Sequence, residues 1–169
     1  MEGEAFLNFV WGHQPAGWVF LARRRRGLWQ ELPIDLALHG EVMVRGSTLR
    51  DEKSDLYFCP NAFALAERHK EHCLPSRVMY QDLDEVSPDE CPIHPDVWWE
   101  TSPFRYQGLW ILDEALEPDE LAALNKALNR ACNADPGTWN LTRLLRVPGS
   151  HNAKRGCEVG EAEAKLVLA

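Results

Sequence analysis

The chain has 169 residues, 45% hydrophobic and 26% charged, with a formal net charge of −8. That balance excludes a disordered polymer and describes one domain of ordinary size. No apolar run approaches the about 18 residues of a membrane span, the acidic start Met1-Glu2-Gly3-Glu4 lacks a secretory layout, and the negative total argues against non-specific nucleic-acid binding.

The five cysteines, Cys59, Cys73, Cys91, Cys132 and Cys157, are odd in number and form no Cys-x-x-Cys pair. Reduced thiols in a cytoplasmic protein fit better than a disulfide framework. Charge is unevenly distributed. From Asp82 to Glu120 twelve acids face one base, Arg105, whereas Arg143, Arg146, Lys154 and Arg155 lie in a stretch without acids. Arg23–Arg26 form a second basic block. An acidic middle between basic ends suits metal ions held in one place and phosphates in another, although a solvated face accounts for most of the acids.

Taken in chain order, residues 6–11 and 17–22 read as short strands around a Gly/Pro turn. Arg23–Arg26 then lead into Gly27-Leu28-Trp29, which reads as a hairpin tip or a strand edge carrying positive charge. Residues 30–55 carry no clear pattern. Pro60 to Cys73 reads as a helix, with Pro60 in its first turn and Pro75 beyond its end. Arg77 to Leu83 reads as a strand. Val78, Tyr80 and Asp82 share one face by the two-residue period, and Asp84 continues the parity.

A proline-rich loop (Pro88–Pro95) precedes two strands, Val97–Thr101 and Gln107–Leu112, joined by the turn Ser102-Pro103-Phe104-Arg105. Pro118 to Cys132 is the clearest helix, with Asp119 and Glu120 in its first turn and an apolar stripe of Leu121, Leu124, Leu128 and Cys132. Leu141 to Val147 is apolar with two arginines and ends at Pro148-Gly149. A turn and the start of a strand at Lys165 close the chain in mid-pattern, as a longer parent protein would. This order predicts an α+β domain with a mostly antiparallel sheet.

The chemistry concentrates in two runs. In Asp82-Leu83-Asp84-Glu85, carboxylates at i and i+2 on a strand end reach one divalent cation. Paired metals about 3.5–4 Å apart are the usual apparatus of nucleotidyl transfer. An acidic strand end or turn explains the same spacing without any metal. The second run spans Leu141 to Arg155. Two arginines in an apolar stretch need partners, and their guanidinium forks suit triphosphate or a DNA backbone. A basic surface strand paired with the acidic belt is the plainer account.

With these pieces side by side, the sequence resembles the archaeo-eukaryotic primase superfamily, in its RepB-like branch of phage and plasmid primase-polymerases. The resemblance runs as ordered motifs from about Tyr57 to Lys154. Tyr80-Gln-Asp82-Leu-Asp84-Glu85 resembles the motif whose carboxylates hold the catalytic metals. Glu100 to Trp110 resembles a turn and strand that contact the incoming nucleotide. Ala134-Asp135-Pro136, followed by Thr142 to Lys154 with its Arg-x-Pro-Gly-x-x-Asn-x-Lys pattern, resembles the third. Gln107 stands where many members carry histidine, and Phe104 where glycine is common. The third acid is either Asp135 or, if its position falls on Asn140, is missing.

The resemblance implies a primase-type, RRM-like antiparallel sheet flanked by helices, with an N-terminal α/β portion. It implies one catalytic domain over 1–169: an N-terminal part to residue 75, a metal-binding sheet core over 76–155, and a possible continuation from 156. It implies a DNA primase or primase-polymerase acting on a single-stranded DNA template with nucleoside triphosphates, in plasmid or phage replication, alone or with a helicase domain or subunit. Asp82, Asp84 and Asp135 would hold two Mg²⁺ or Mn²⁺ ions. Ser102, Arg105, Gln107, Arg143, Arg146, Asn152 and Lys154 would bind nucleotide or phosphate. Arg23, Arg24, Arg25 and Arg26 would touch template as an electrostatic funnel, and Trp139 would stack on a base.

The alternative is a nucleotide- or nucleic-acid-binding module of a replication initiator with little or no activity. An Asp-x-Asp hydrolase or glycosyl transferase accounts for the acids but not for the arginine run. Zinc on His69, His72, Cys73, Cys91 and His94 is a further candidate from ligand type, though 17 residues separate its halves and include the acidic strand. A surface helix end with a half-buried cysteine accounts for the same residues.

Overall fold

Phe6, Leu7, Val10 and Trp11 recur at helical spacing and line the buried face of α1 (Gly3–Trp11). The computed structural model, which describes residues 1–39, 51 and 53–165, therefore replaces the strand expected over 6–11 with a helix. An apolar run of six reads either way by composition, and burial on one side only decides it. Trp11 also donates its indole N–H to the Cys59 carbonyl at 2.9 Å, fixing the helix to the chain ahead of it.

The strands follow as β1 (Trp18–Arg25), β2 (Leu28–Asp35), β3 (Ser54–Phe58), β4 (Ser76–Asp84), β5 (Val97–Ser102), β6 (Arg105–Leu116), β7 (Leu145–Arg146), β8 (His151–Asn152), β9 (Cys157–Glu158) and β10 (Glu163–Ala164). They form a sheet of order β2-β1-β3-β7, a sheet of order β10-β5-β6-β4, and a small β8–β9 hairpin. Every pairing between these strands is antiparallel. With α1, the single-turn α2 (Leu36–His39) and α3 (Pro118–Ala131), this is the expected α+β architecture. The basic hairpin tip is as expected too. Arg25 pairs with Leu28 across Arg26 and Gly27, both at positive φ (51° and 82°), the turn that matches strand twist.

Residues 60–73 are not the expected helix. Phe63 bridges Trp18 on one side and Cys73 on the other, and Ala64 N–H donates to the His72 carbonyl at 2.7 Å. Only Lys70–His72 makes a 3₁₀ turn. The segment folds back on itself because Phe63 and Cys73 both enter one apolar cluster, which outweighs local propensity. The middle of the unpatterned 30–55 stretch, and the strand expected beyond Lys165, lie outside the described residues.

Two apolar clusters lie on opposite faces of the strands. Val19, Leu21, Val78, Tyr80 and Leu109 turn to the cluster around α1, where Phe6 packs edge-on against Phe58 at 5.2 Å and Trp99 at 5.0 Å. Phe20, Met79, Leu83 and Trp110 turn to the other, which α3 closes with Leu121 and Leu128. Leu124, placed in the stripe by spacing, is instead 46% exposed, and Asn125 is fully buried. Edge strand β4 explains the exchange. Its Tyr80 N–H donates to Asn125 Oδ1 at 3.1 Å, and Gln81 Nε2 donates to the Asn125 carbonyl at 2.7 Å. The helix thus covers an unpaired strand edge with an amide in place of another strand. Among the described residues no helix is long and apolar enough to cross a membrane.

Candidate active site

Strand β4 delivers Asp82 and Asp84 at its end, where the ladder to β6 slips register between them and Asp84 takes φ +50°. Such an irregularity re-aims side chains, so strict alternation no longer governs the pair. Asp82 accepts from Arg143 Nη2 at 3.1 Å, whereas Asp84 and Glu85 are both taken by Arg105. Phe104, at the tip of the β5–β6 hairpin beside Arg105, holds φ +62° and is 76% exposed.

Asp135 comes to Asp82 through the main chain. Its N–H donates to the Asp82 carbonyl at 3.1 Å, and its carboxylate lies 3.9 Å from the same Arg143 Nη2. Asn129 on α3 holds this loop, donating to the Asp135 carbonyl at 3.0 Å and to Thr138 Oγ1 at 3.2 Å. Asn140, the other candidate for the third position, uses its amide within its own turn: Nδ2 donates to the Gly137 carbonyl and Oδ1 accepts from Thr142. Burial pushes the Asp82 carboxyl above the ordinary aspartate range. Attraction from Arg143 and a hydrogen bond from Gln107 oppose the shift, and Asp135 adds to it.

The remaining expected residues divide between the site and its frame. Gln107 is buried, with Oε1 accepting from Arg146 N–H at 2.9 Å while its side chain also bonds Asp82. Arg146 is largely buried, donates to Asp55 at 2.6 Å and lies over the Tyr57 ring at 4.9 Å. Ser102 is buried where β5 turns into β6, and Asn152 donates Nδ2 to the Thr101 carbonyl at 2.8 Å. Lys154 stands exposed on the β8–β9 turn. Arg24, Arg25 and Arg26 are exposed at the hairpin tip, with Arg25 beside Asp51 at 3.3 Å and Arg23 bonded to Gln30. Trp139 is half-buried beneath Lys126 Nζ at 4.6 Å, so α3 covers part of its ring.

The zinc candidates do not gather. His72 pairs with Glu67, His94 with Asp89, and Cys91 meets Cys132 inside the apolar cluster. Among the described residues no three such side chains converge on a point where a metal would sit. That holds for the aspartates as well, with Asp84 drawn to Arg105. Asp82 and Asp135 nevertheless already share one positive group, the Arg143 guanidinium. Their oxygen donors suit a hard divalent cation such as Mg²⁺ or Mn²⁺, whereas Asp84 is held by Arg105.

Sequence reading did not find Asp55, Asn61, Arg68 or the buried role of Tyr80. Tyr80 donates its hydroxyl to the Asn140 carbonyl at 2.6 Å, Asn61 Nδ2 donates to the Leu141 carbonyl at 3.0 Å, and Arg68 donates to the Thr142 carbonyl. Together they pin the loop that presents Arg143. Partners 60 to 91 positions apart leave no local spacing signal.

Against known proteins, the model of the RepB DNA-primase N-terminal domain matches residues 79–167, just over half of the chain. The AEP domain of the cyanophage S-2L primase-polymerase superposes with TM-score 0.71 at 10% identity, covering 98% of this chain and 91% of that one. Primase RepB′ gives 0.63 at 17% over 92% of this chain and 53% of its own. The catalytic domain of primase RepB′ in complex with initiator DNA gives 0.58 at 19%, over 90% and 78%. At such identities the structural matches show a common fold. No curated protein matches the sequence.

Proposed function

Because the chain belongs to the RepB DNA-primase N-terminal domain family, we propose that it is the catalytic domain of a DNA primase, a nucleotidyltransferase that makes or extends primers on a single-stranded DNA template. The observation that carries this reading is the meeting of Asp82 and Asp135 on one guanidinium, Arg143, where the first and third sequence motifs come together. Asp82, Asp84 and Asp135 would hold two Mg²⁺ or Mn²⁺ ions. Bound there, such ions supply Lewis acidity for the attacking 3′-hydroxyl and neutralise charge on the triphosphate.

The protein's own groups do the positioning. Arg143, beside the acids, takes a phosphate oxygen, and Arg105 sits at the hairpin to do the same. Lys154 adds an exposed cation on the β8–β9 turn. Gln107, Arg146, Ser102 and Asn152 act mainly as the frame that fixes these groups. The exposed arginines of the β1–β2 tip steer the template.

Primer synthesis and extension on single-stranded DNA, with labelled nucleotides and Mg²⁺ or Mn²⁺, tests the proposal. Product from the wild type and none from Asp82→Ala plus Asp84→Ala is the expected result. The division of the acids between Arg105 and Arg143 favours a second reading, a binding module of a replication initiator. No product, with metal-dependent nucleotide binding retained by calorimetry, decides for it. No product and no nucleotide binding sinks both.

A further inference from the structure

Trp29 lies on β2, outside the residues assigned above, and keeps 47% of its surface exposed. Yet it is held firmly. Its ring rests on Tyr57 (5.4 Å between centroids, planes tilted 40°), and its indole N–H donates to Glu31 Oε1 at 3.0 Å. Glu31 is gripped by Arg68 through both carboxylate oxygens, one at 3.1 Å, and Arg68 also reaches the Thr142 carbonyl. The indole is therefore locked, through two side chains, to the loop that presents Arg143. Trp29, Tyr57, Asn140, Thr142 and Arg143 line one cleft of about 410 Å³. Arg143 in that lining is the group that touches Asp82 and Asp135.

An exposed indole held in one orientation is a preorganised contact surface. The flat face asks for a planar apolar ring, and the guanidinium lining the same cleft asks for an anion. A neutral aliphatic ligand leaves the arginine unused, an anionic lipid offers an alkyl chain and no flat ring to the indole, and a bare anion leaves the indole unused. We infer that this cleft is a base-stacking subsite, in which Trp29 stacks on a nucleobase whose phosphate lies against Arg143. The primase reading contributes only the source of that base, a template strand or an incoming nucleotide. Base–aromatic stacking tolerates any sequence, as copying an arbitrary template requires.

The test uses the full chain in EDTA, so that it does not depend on metal at the acids. Fluorescence anisotropy compares wild type, Trp29→Ala and Trp29→Phe on labelled oligo(dT) and on the same strand with abasic sites, with a deoxynucleoside triphosphate as competitor. Thermal melts confirm that each variant is folded. Trp29→Ala is expected to bind oligo(dT) about tenfold more weakly, to bind the abasic strand like wild type, and to recover with Trp29→Phe. If the competitor alone weakens by that factor, the stacked base belongs to the incoming nucleotide. Equal affinities of wild type and Trp29→Ala for both ligands, or no binding by the wild type, overturn the inference. Wild type that shows Trp29-dependent binding but makes no primer in the metal-containing assay overturns the primase reading and leaves this one standing.

Discussion

Asp82 sits where burial favours its neutral form more than Arg143 and Gln107 favour its charged one. Below the ordinary aspartate pKa both folded and unfolded chains are protonated there. As pH rises through the window up to the raised folded value, the unfolded chain releases its proton first, and stability falls. Above that window the ionised group is a constant burden. Asp82→Asn is therefore expected to melt at or slightly above wild type at neutral pH in EDTA, with the advantage disappearing in acid, while primer synthesis is lost. Paired melts across pH check this, and a variant less stable at neutral pH contradicts it. Phe104 bears a second local strain. A large exposed side chain at φ +62° costs roughly 1 kcal/mol over glycine in that region. Phe104→Gly is expected to gain about 0.5 kcal/mol, since the freer unfolded glycine offsets part of the relief. Denaturant midpoints measure it, and a loss would show that the ring makes a contact of its own.

The join between β4 and α3 is polar, and that makes it sensitive to single atoms. Asn125→Ala strips the buried Tyr80 N–H of its acceptor, while Gln81 Nε2 keeps the main-chain carbonyl, at an expected cost of about 1–3 kcal/mol. Asn125→Leu, which restores apolar volume, is expected to be no better, because the missing group is an acceptor. Chemical denaturation of both variants separates lost hydrogen bonding from lost packing. The same join shows what the sequence discloses. The connections between β4, β5 and β6 are rich in proline, and Asp82 and Asp84 stand at a strand end, so the acidic half of the candidate site is legible. Periodicity places Leu124 inward because it weighs side chains by polarity, and an edge strand that needs a covering acceptor brings Asn125 in instead. Likewise Phe6 to Trp11 carried helical spacing within a strand-like composition, and Phe63 turned inward by pairing with distant backbone.

At the scale of the molecule, residues 145–153 staple the two sheets together. Strand β7 pairs with β3 of one sheet, while Arg146 N–H reaches Gln107 on β6 and Asn152 reaches Thr101 on β5 of the other. The acids and Arg143 lie just where this staple enters, so alignment of the site depends on it. Asp55 secures the staple from β3. It is 5% exposed and accepts from Arg146 at 2.6 Å and from Ala153 N–H at 3.0 Å. Removing one member of a buried ion pair leaves the other charged and unpaired, at about 3–5 kcal/mol. Asp55→Ala is therefore expected to lower the melting temperature by roughly 10 °C. Asp55→Asn, which keeps an acceptor for both donors, is expected to lose about half as much. A surface role predicts otherwise: both variants within about 2 °C of wild type. The two outcomes differ by more than the error of a thermal melt, and the first would place the stability of the whole fold and the position of Arg143 under one carboxylate.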